Sequence, residues 1–226
     1  FIYKDTDTAR GQFQDTYAHY MQNYQAMTRL MVKMQFQVGV ARRMAETIGT
    51  IGIPSVAEKL GHMAAQAAMV EGLVYGMESG GGMFNGYYVP DRNLMYTAQV
   101  LTQQLYPEFV TSMRELAGGG LIMLPSSAED FTDPELSRYI NATQKSAIGT
   151  AEEKVKFMKL AWDCIGSEFA SRHTQYEMFY AGAQFVTRAH AMRTYDWDRS
   201  AELVDSILDK YSLSDSIGDG TKIAAE

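Results

Sequence analysis

The chain has 226 residues, of which 46% are hydrophobic and 21% are charged, a composition typical of a globular domain. Its net charge of −7 and the lack of any Lys/Arg run argue against nucleic acid as a partner. The single cysteine, Cys164, excludes an internal disulfide and an all-cysteine metal site, and it fits a reducing compartment such as the cytoplasm. No apolar run is long enough to span a bilayer, so we expect no membrane insertion.

A long first helix is predicted from a cap at residue 7 or 8 to about Ile48. Its apolar residues alternate in steps of three and four, the pattern of a helix in a bundle: Tyr17, Tyr20, Tyr24, Met27, Met31, Met34, Val38, Ala41 and Ala45. Phe36 and Val40 lie outside this seam, which predicts packing on a second side. Gln37 is predicted to lie at the surface or between subunits. Before the helix, Ile2 and Tyr3 are typical of a strand end, so we expect the chain to be the back part of a longer polypeptide.

Two further long helices follow, each after a loop. The second is predicted to be capped by Ser55, with the seam Val56, Leu60, Met63, Ala67, Val70, Val74 and Met77. Asp91 is expected to cap the third, which is lined by Leu94, Ala98, Leu101 and Leu105. Pro107 should kink this third helix, and the triple glycine 118–120 should end it.

The remaining segments are shorter. Asp133 begins a short helix, Thr150 and Glu153 form a capping box, and a last helix follows Asp198. Residues 212–226 are small and polar, and we expect a flexible tail there. The predicted fold is all-α, an up-and-down four-helix bundle over residues 1–211 with under a tenth of residues in strands, set against a usual strand share of about 20–25%.

The helix that begins after Thr150 contains an irregular stretch. Apolar residues fall at Val155, Met158, Trp162 and Ile165, and the same rhythm continues at Phe169, Tyr176 and Phe179. Arg172 occupies a position where the rhythm predicts an apolar residue. Gly166 lies within the pattern, where a glycine costs about 1 kcal/mol relative to alanine in a helix interior. Two local rules are therefore broken within seven residues, which is typical of functional or strained sites.

Two geometries account for this stretch. One is a continuous helix that turns Arg172 inward. The other, which we favour, is a break at which Gly166 ends one helix and Ser167 caps the next. Free amides at the new helix start would then favour an anionic or carbonyl-bearing ligand. An ordinary capped helix start, with Arg172 reaching into solvent, fits the same spacing.

The residues alone indicate no chemistry. The chain lacks His-Glu-x-x-His, a serine-centred elbow and the paired Glu-x-x-His of di-iron proteins. We therefore assign no metal ligand and no catalytic residue from spacing.

Three separated stretches resemble one known family. They are Trp162–His173 (WDCIGSEFASRH) with the nearby Tyr176-Glu177 and Tyr180-Ala181-Gly182, then Gly120–Asp130 (GLIMLPSSAED), and the opening Ile2–Asp5 (IYKD). This pattern is similar to the C-terminal part of the oxygenase component of 4-hydroxyphenylacetate 3-monooxygenase, a two-component flavin-dependent phenol hydroxylase. The likeness covers roughly the first 210 residues. It implies an acyl-CoA-dehydrogenase-like fold of which only the C-terminal helical bundle is present.

The resemblance also implies a function. Family members use reduced FAD, supplied by a separate NAD(P)H–flavin reductase, and O₂ to hydroxylate a phenol ortho to its hydroxyl. It assigns flavin contact to Ser167, Glu168, Phe169, Ala170, Ser171 and Arg172. It implies a homotetramer completed by the N-terminal part of the oxygenase, which carries the catalytic residues, so we expect this segment alone to be inactive.

Two alternatives remain at this point. One is an oligomerisation bundle without its own chemistry. The other is a flavoprotein similar to 4-hydroxybutanoyl-CoA dehydratase, which needs a cysteine and a histidine for an iron–sulfur cluster. Cys164 has no histidine shortly before it, which disfavours the second alternative. The sequence does not identify the phenol.

Overall fold

The computed structural model describes residues 2–211. Within this range the helices are α1 (Thr6–Gln14), α2 (Ala18–Ile48), α3 (Pro54–Ser79), α4 (Arg92–Ala117), α5 (Pro134–Thr143), α6 (Ala151–Ile165), α7 (Glu168–Phe179), α8 (Gln184–Thr194) and α9 (Trp197–Leu208). Strands β1 (Gly82–Phe84) and β2 (Tyr87–Val89) form an antiparallel hairpin between α3 and α4, in place of the predicted loop. Two 3₁₀ turns, Gly118–Leu121 and Ala128–Phe131, follow α4. The all-α prediction is confirmed.

The predicted first helix is two helices. The Asp5 side chain caps α1 by accepting from the Thr8 amide at 3.0 Å, and α1 ends at Gln14. Tyr17 then adopts a left-handed backbone with φ 63°, which interrupts the helix. Its ring packs on Tyr20 and Phe84, with centroids 4.7 and 4.4 Å away. Tyr17, a residue of the predicted seam, therefore lies at the junction between α1 and α2, and the prediction of one continuous helix was wrong. The predicted strand end at residues 2 and 3 was also wrong, because these residues form no strand.

The long helices α2, α3 and α4 pack on one another, and α6 closes the core against α2 and α4. Methionines supply much of this core, as their adaptable side chains allow: Met27, Met34, Met44, Met63, Met77, Met95, Met113 and Met158 are all buried. The α3 seam is confirmed from Met63 to Met77, while Val56 and Leu60 lie partly buried against the core. The predicted Ser55 cap was wrong, because α3 begins at Pro54 and its N-cap residue is Ile53. Residues 49–53 connect α2 to α3 and residues 80–91 connect α3 to α4, whereas residues 118–150 separate α4 from α6.

Helix α2 buries a second row of side chains beside the predicted seam. Asn23, Leu30, Gln37 and Met44 recur every seven residues and are all buried, because α2 contacts α3, α4 and α6 on different sides. The surface prediction for Gln37 was therefore wrong. Its side chain is 3% exposed and donates to the Tyr106 hydroxyl at 3.1 Å.

Helix α4 has a polar buried face that its apolar pattern did not indicate. Gln99, Thr102 and Gln103 are buried, whereas Leu101, predicted to line the helix, is 40% exposed. The Asp91 cap is confirmed by its bond from the Leu94 amide at 2.7 Å. The helix continues through Pro107 to Ala117.

The later connections follow the predicted caps with small shifts. The Thr150–Glu153 capping box is present, and Asp133 caps α5. Helix α8 was not predicted, and α9 is capped by Asp196 rather than beginning after Asp198. The predicted tail 212–226 lies outside the described residues. In the part of the chain that the structure describes, none of the helices combines the length and apolarity that crossing a bilayer requires.

Candidate functional site

The chain breaks between α6 and α7 at the predicted position. The amides of Gly166 and Ser167 both donate to the carbonyl of Trp162, at 2.7 and 3.0 Å, and this closes α6. The Ser167 hydroxyl then accepts from the Ala170 amide at 3.2 Å, as an N-cap does. The break is therefore confirmed over the continuous helix.

Two side chains from the bundle shape this break. A Cβ on Gly166 would lie 2.3 Å from the Trp162 ring, so the glycine is required by close packing and not by its φ of −121°. Arg114 of α4 donates from Nε and Nη2 to the Ile165 carbonyl, at 2.9 and 2.8 Å. This guanidinium fork fixes the last carbonyl of α6 and thereby the place where α7 begins.

The apolar residues of α6 and those of α7 do not face the core alike, although their spacing continues across the break. Val155, Met158 and Ile165 of α6 are buried, but Trp162 is 37% exposed. Phe169 and Phe179 of α7, at which the rhythm continues in the sequence, are 63% and 49% exposed. The break interrupts the helical phase, and the pattern that faces the core in α6 faces outward in α7.

The six residues predicted to contact flavin lie around the first turn of α7, at different depths. Ala170 is buried at 1% exposure, so its side chain is unavailable to a ligand. Ser167 is partly buried, and its hydroxyl serves as the cap. The exposed Ser171 hydroxyl donates to the Ser167 carbonyl at 3.1 Å. Exposed Arg172 donates from Nη2 to Glu168 at 2.8 Å, and its outward position contradicts an inward Arg172.

A pocket of about 400 Å³ opens beside these residues, lined by Arg29, Phe169, Arg172, His173 and Tyr176. Its four α7 residues follow the spacing i, i+3, i+4 and i+7, which places them on one helix face. We call this set, Phe169, Arg172, His173 and Tyr176, the outer stripe, and the cavity the α2–α7 pocket. Of the six predicted residues, only Phe169 and Arg172 line it.

A cluster of charged side chains connects α2 to α7 next to this pocket. Glu177 is 2% exposed at its side chain, accepts from Arg29 Nη2 at 2.6 Å, and also accepts from Lys33 Nζ. Lys33 Nζ lies 3.0 Å from His173 Nδ1. We call Arg29, Lys33, His173 and Glu177 the charge cluster. It holds two basic side chains against one carboxylate, so an anion or an electron-rich ligand is favoured nearby.

Burial and neighbouring charges perturb this cluster. Burial lowers the pKa of Lys33, and the Glu177 carboxylate opposes that change. The pKa of His173 is also lowered, first by burial and then by the positive charges of Lys33 and Arg29. Both effects disfavour an imidazolium beside two cations. Tyr106, whose ring lies 4.8 Å from Lys33 Nζ, has its pKa raised to about 12, mainly by burial.

Polar contacts also hold the far end of α7. The Gln103 amide nitrogen donates to the carbonyls of Met178 and Gly182, at 2.9 and 2.7 Å. Its oxygen accepts from the Thr187 hydroxyl at 2.8 Å. One buried glutamine thus fixes the turn from α7 to α8 against α4.

Sequence reasoning missed Arg29, Lys33 and Glu177 as members of the site. A signal existed, because Arg29 and Lys33 are four residues apart and off the α2 seam, which places both on one other face. Glu177 stood within a motif quoted for the family resemblance but received no role. Its burial follows from its helical position seven residues after Ala170, on the inward face of α7.

These features define an all-α domain of acyl-CoA-dehydrogenase-like fold with a basic, aromatic pocket at a helix break. The chain belongs to the family described as HpaB, 4-hydroxyphenylacetate 3-hydroxylase C terminal, whose model matches residues 9–209.

Named relatives agree with this family. The chain is 31% identical to the 4-hydroxyphenylacetate 3-monooxygenase oxygenase component of Escherichia coli, over 93% of the chain and 42% of that protein. A crystal structure of the oxygenase component (HpaB) of 4-hydroxyphenylacetate 3-monooxygenase, complexed with FAD and 4-hydroxyphenylacetate, superposes with a TM-score of 0.87 at 26% identity, covering 93% of this chain and 44% of that one. The chain therefore spans less than half the length of these relatives.

A more distant likeness concerns the fold alone. An archaeal 4-hydroxybutyryl-CoA dehydratase from N. maritimus superposes with a TM-score of 0.72 at 18% identity, over 85% of this chain and 38% of that one. In the present chain Cys164 is partly buried, and burial raises the pKa of its thiol, followed by the effect of Asp163. A raised pKa favours the thiol form over the thiolate that metal ligation requires.

Proposed function

We propose that this chain is the C-terminal bundle of the oxygenase component of a two-component monooxygenase, which uses reduced FAD and O₂ to hydroxylate a phenol ortho to its hydroxyl. The observation that carries the proposal is the α2–α7 pocket, which lies at the helix break in a chain of this family. The relative in the superposed crystal structure binds FAD and 4-hydroxyphenylacetate. The proposed substrate is 4-hydroxyphenylacetate, a chlorophenol or a similar phenol.

The residues present fit a reduced flavin. Phe169 and Tyr176 offer aromatic faces, and Arg29 and Arg172 offer guanidinium donors. The amides of Glu168 and Phe169 precede the first intrahelical bond of α7, so they are free to meet flavin carbonyls or phosphates. When bound, reduced FAD supplies the electrons with which O₂ is activated. The chain's own part is to bind and orient that group.

The depth of each residue refines the proposed contact set. Glu168, Phe169, Ser171 and Arg172 are exposed, and Ser167 is partly buried beside them. Ala170 faces the core, so we propose that it contributes through its backbone only. Catalytic residues are proposed to lie in the N-terminal part of the oxygenase, and the segment alone is proposed to be inactive.

The test is reduced-FAD binding under anaerobic conditions by the oxygenase that contains this chain. We expect Arg172→Ala to weaken binding by about tenfold, the equivalent of about 1.4 kcal/mol, and Ser171→Ala to weaken it less. Arg188→Ala is the matched control, because Arg188 is an exposed arginine that also contacts the residue four positions before it, Gln184. It should bind like the parent.

If both Arg172→Ala and Ser171→Ala bind reduced FAD like the parent, the flavin assignment is wrong. The stretch is then only a capped helix start, and the chain is better described as an oligomerisation bundle. Thermal unfolding of each variant checks that weaker binding does not reflect loss of the fold.

We further propose that the bundle forms a homotetramer with the N-terminal part of the oxygenase, works with a separate NAD(P)H–flavin reductase and resides in the cytoplasm. Exposed apolar side chains on α2 and α9 support assembly: Val32, Phe36, Leu203, Val204, Ile207 and Leu208. The single cysteine supports a reducing compartment. Light scattering of the oxygenase should give four copies, and a monomer would contradict the assembly.

A further inference from the structure

The imidazole of His173 lies between two different environments. Its Nδ1 edge lies 3.0 Å from Lys33 Nζ, within the charge cluster. The residue also lines the α2–α7 pocket. Among the described residues, the His173 ring makes one hydrogen bond, and that bond uses Nδ1 and not Nε2. The ring therefore has one edge committed to the protein and the other edge available.

The chemistry of Lys33 decides the protonation of that ring. An ammonium group has three donors and no acceptor, so the nitrogen opposite it must accept. Glu177, with a side chain only 2% exposed, accepts from the same Nζ and keeps the positive charge on Lys33 compensated. With Nδ1 accepting, a neutral imidazole carries its proton on Nε2.

Two further contacts keep the ring in this orientation. The Phe169 ring packs against it with centroids 4.2 Å apart. Arg29 donates to the same Glu177 oxygen as Lys33, so two donors hold the carboxylate in place. The cluster thus fixes Lys33 in position, and Lys33 in turn fixes the imidazole.

We propose that Lys33 is a positioning residue that holds His173 as the neutral Nε2–H tautomer, and that His173 thereby donates a hydrogen bond to an acceptor atom of the ligand in the α2–α7 pocket. This rests on the proposed function, in which the ligand is reduced flavin. Arg29, Arg172 and His173 then all present donors to the pocket. Such a lining selects a ligand rich in carbonyl or anionic oxygens and disfavours one that offers donors.

The tautomer is tested directly by ¹⁵N solid-state NMR of the full chain with labelled histidine, assigned by the loss of signals in His173→Gln. Near pH 8 we expect His173 to show an unprotonated Nδ1 and a protonated Nε2. Lys33→Met should shift the population toward the Nδ1–H form. Lys59→Met, which removes a lysine that pairs with Glu115 and does not belong to the charge cluster, should leave the His173 signals unchanged. An Nδ1–H form in the parent overturns the proposal.

The donor role is tested by reduced-FAD binding in two variants of His173. The amide nitrogen of glutamine can take the place of Nε2, whereas that of asparagine corresponds to Nδ1. We expect His173→Gln to bind within about threefold of the parent and His173→Asn to bind about tenfold more weakly, the scale of one lost hydrogen bond. Parent-like binding by His173→Asn overturns the donor role. If the parent itself does not bind reduced FAD, the proposed function fails, and the NMR result decides the tautomer separately.

Discussion

Helices α6 and α7 follow one another in the chain but are attached to the bundle by different forces. Helix α6 buries only apolar side chains, namely Ala151, Val155, Met158, Ala161 and Ile165. Helix α7 buries only Ala170 and Glu177, and it is held by the charge cluster and by Gln103. Apolar burial is non-directional, whereas hydrogen bonds require defined geometry. The polar attachment therefore fixes the rotation of α7 and leaves its outer stripe free to face a ligand.

The largest effect is expected from a cavity under α6. Met158 is 0% exposed, so Met158→Ala removes core contacts that the surroundings cannot replace. We expect the free energy of unfolding to fall by about 4 kcal/mol, within the range of about 2–5 for such changes. Urea unfolding measures this. Leu160→Ala is the control, because Leu160 is 44% exposed on the same helix and should cost far less.

The second effect concerns the polar attachment of α7. Glu177→Gln keeps the side-chain shape but leaves Arg29 and Lys33 without their carboxylate, which should cost about 3 kcal/mol. Glu168→Gln alters an exposed ion pair of the same helix and should change stability by no more than about 0.5 kcal/mol.

A double variant separates charge from packing in that result. Lys33→Met together with Glu177→Gln removes one uncompensated cation, so its loss of stability should be smaller than the sum of the two single losses. Strict additivity in urea unfolding would contradict a charge-based attachment. It would make α7 resemble α6, and the contrast between the two helices would disappear.

The junction between the helices should show an intermediate effect. Gly166→Ala places a Cβ against the Trp162 ring and should cost about 2 kcal/mol, as overpacking does. A Cβ added at Gly61 of α3 would meet open space, so Gly61→Ala should instead stabilise the protein by about 1 kcal/mol. Unfolding of both variants in urea checks the opposite signs. A loss of stability in both would point to a general intolerance of the helices rather than to the Trp162 contact.

The apolar attachment of α6 could be predicted from the sequence, whereas the polar attachment of α7 could not. Apolar periodicity placed the α3 seam and the buried residues of α6, and cap residues placed Asp91, Thr150 and Ser167, because these signals are local. The break at Gly166 was predicted, but the outward face of Phe169 was not. A change of helical phase after a break depends on what the next helix packs against.

The shared α2 face of Arg29 and Lys33 could be read from their spacing, but the pairing of these residues with α7 could not. Lys33 and Glu177 are 144 residues apart, and nothing near either one in sequence indicates the other. Gln37 was placed at the surface because glutamines usually are, yet Tyr106 of α4 offers it a buried partner. Long-range polar pairing is a property of the assembled bundle, and it is also what builds the pocket.

The smallest expected effect is a dependence of stability on pH that belongs to α7. The pKa of His173 is lowered by burial and by Lys33 and Arg29, against the opposing Glu177, so the unfolded chain takes up this proton at a higher pH than the folded one. The stabilising contribution is therefore present above the ordinary histidine pKa of about 6.5 and is lost as the pH falls below it. The free energy of unfolding of the parent and of His173→Gln should be measured in urea at pH 8 and at pH 5. Between these two pH values, the free energy of unfolding should fall more for the parent than for His173→Gln. His19 and His190 also have lowered pKa values, so the difference between the two proteins carries the information. Met158→Ala removes no titrating group, so it should be less stable than the parent by a similar amount at both pH values. If the parent and His173→Gln lose equal stability between pH 8 and pH 5, the cluster does not control the pKa of this imidazole.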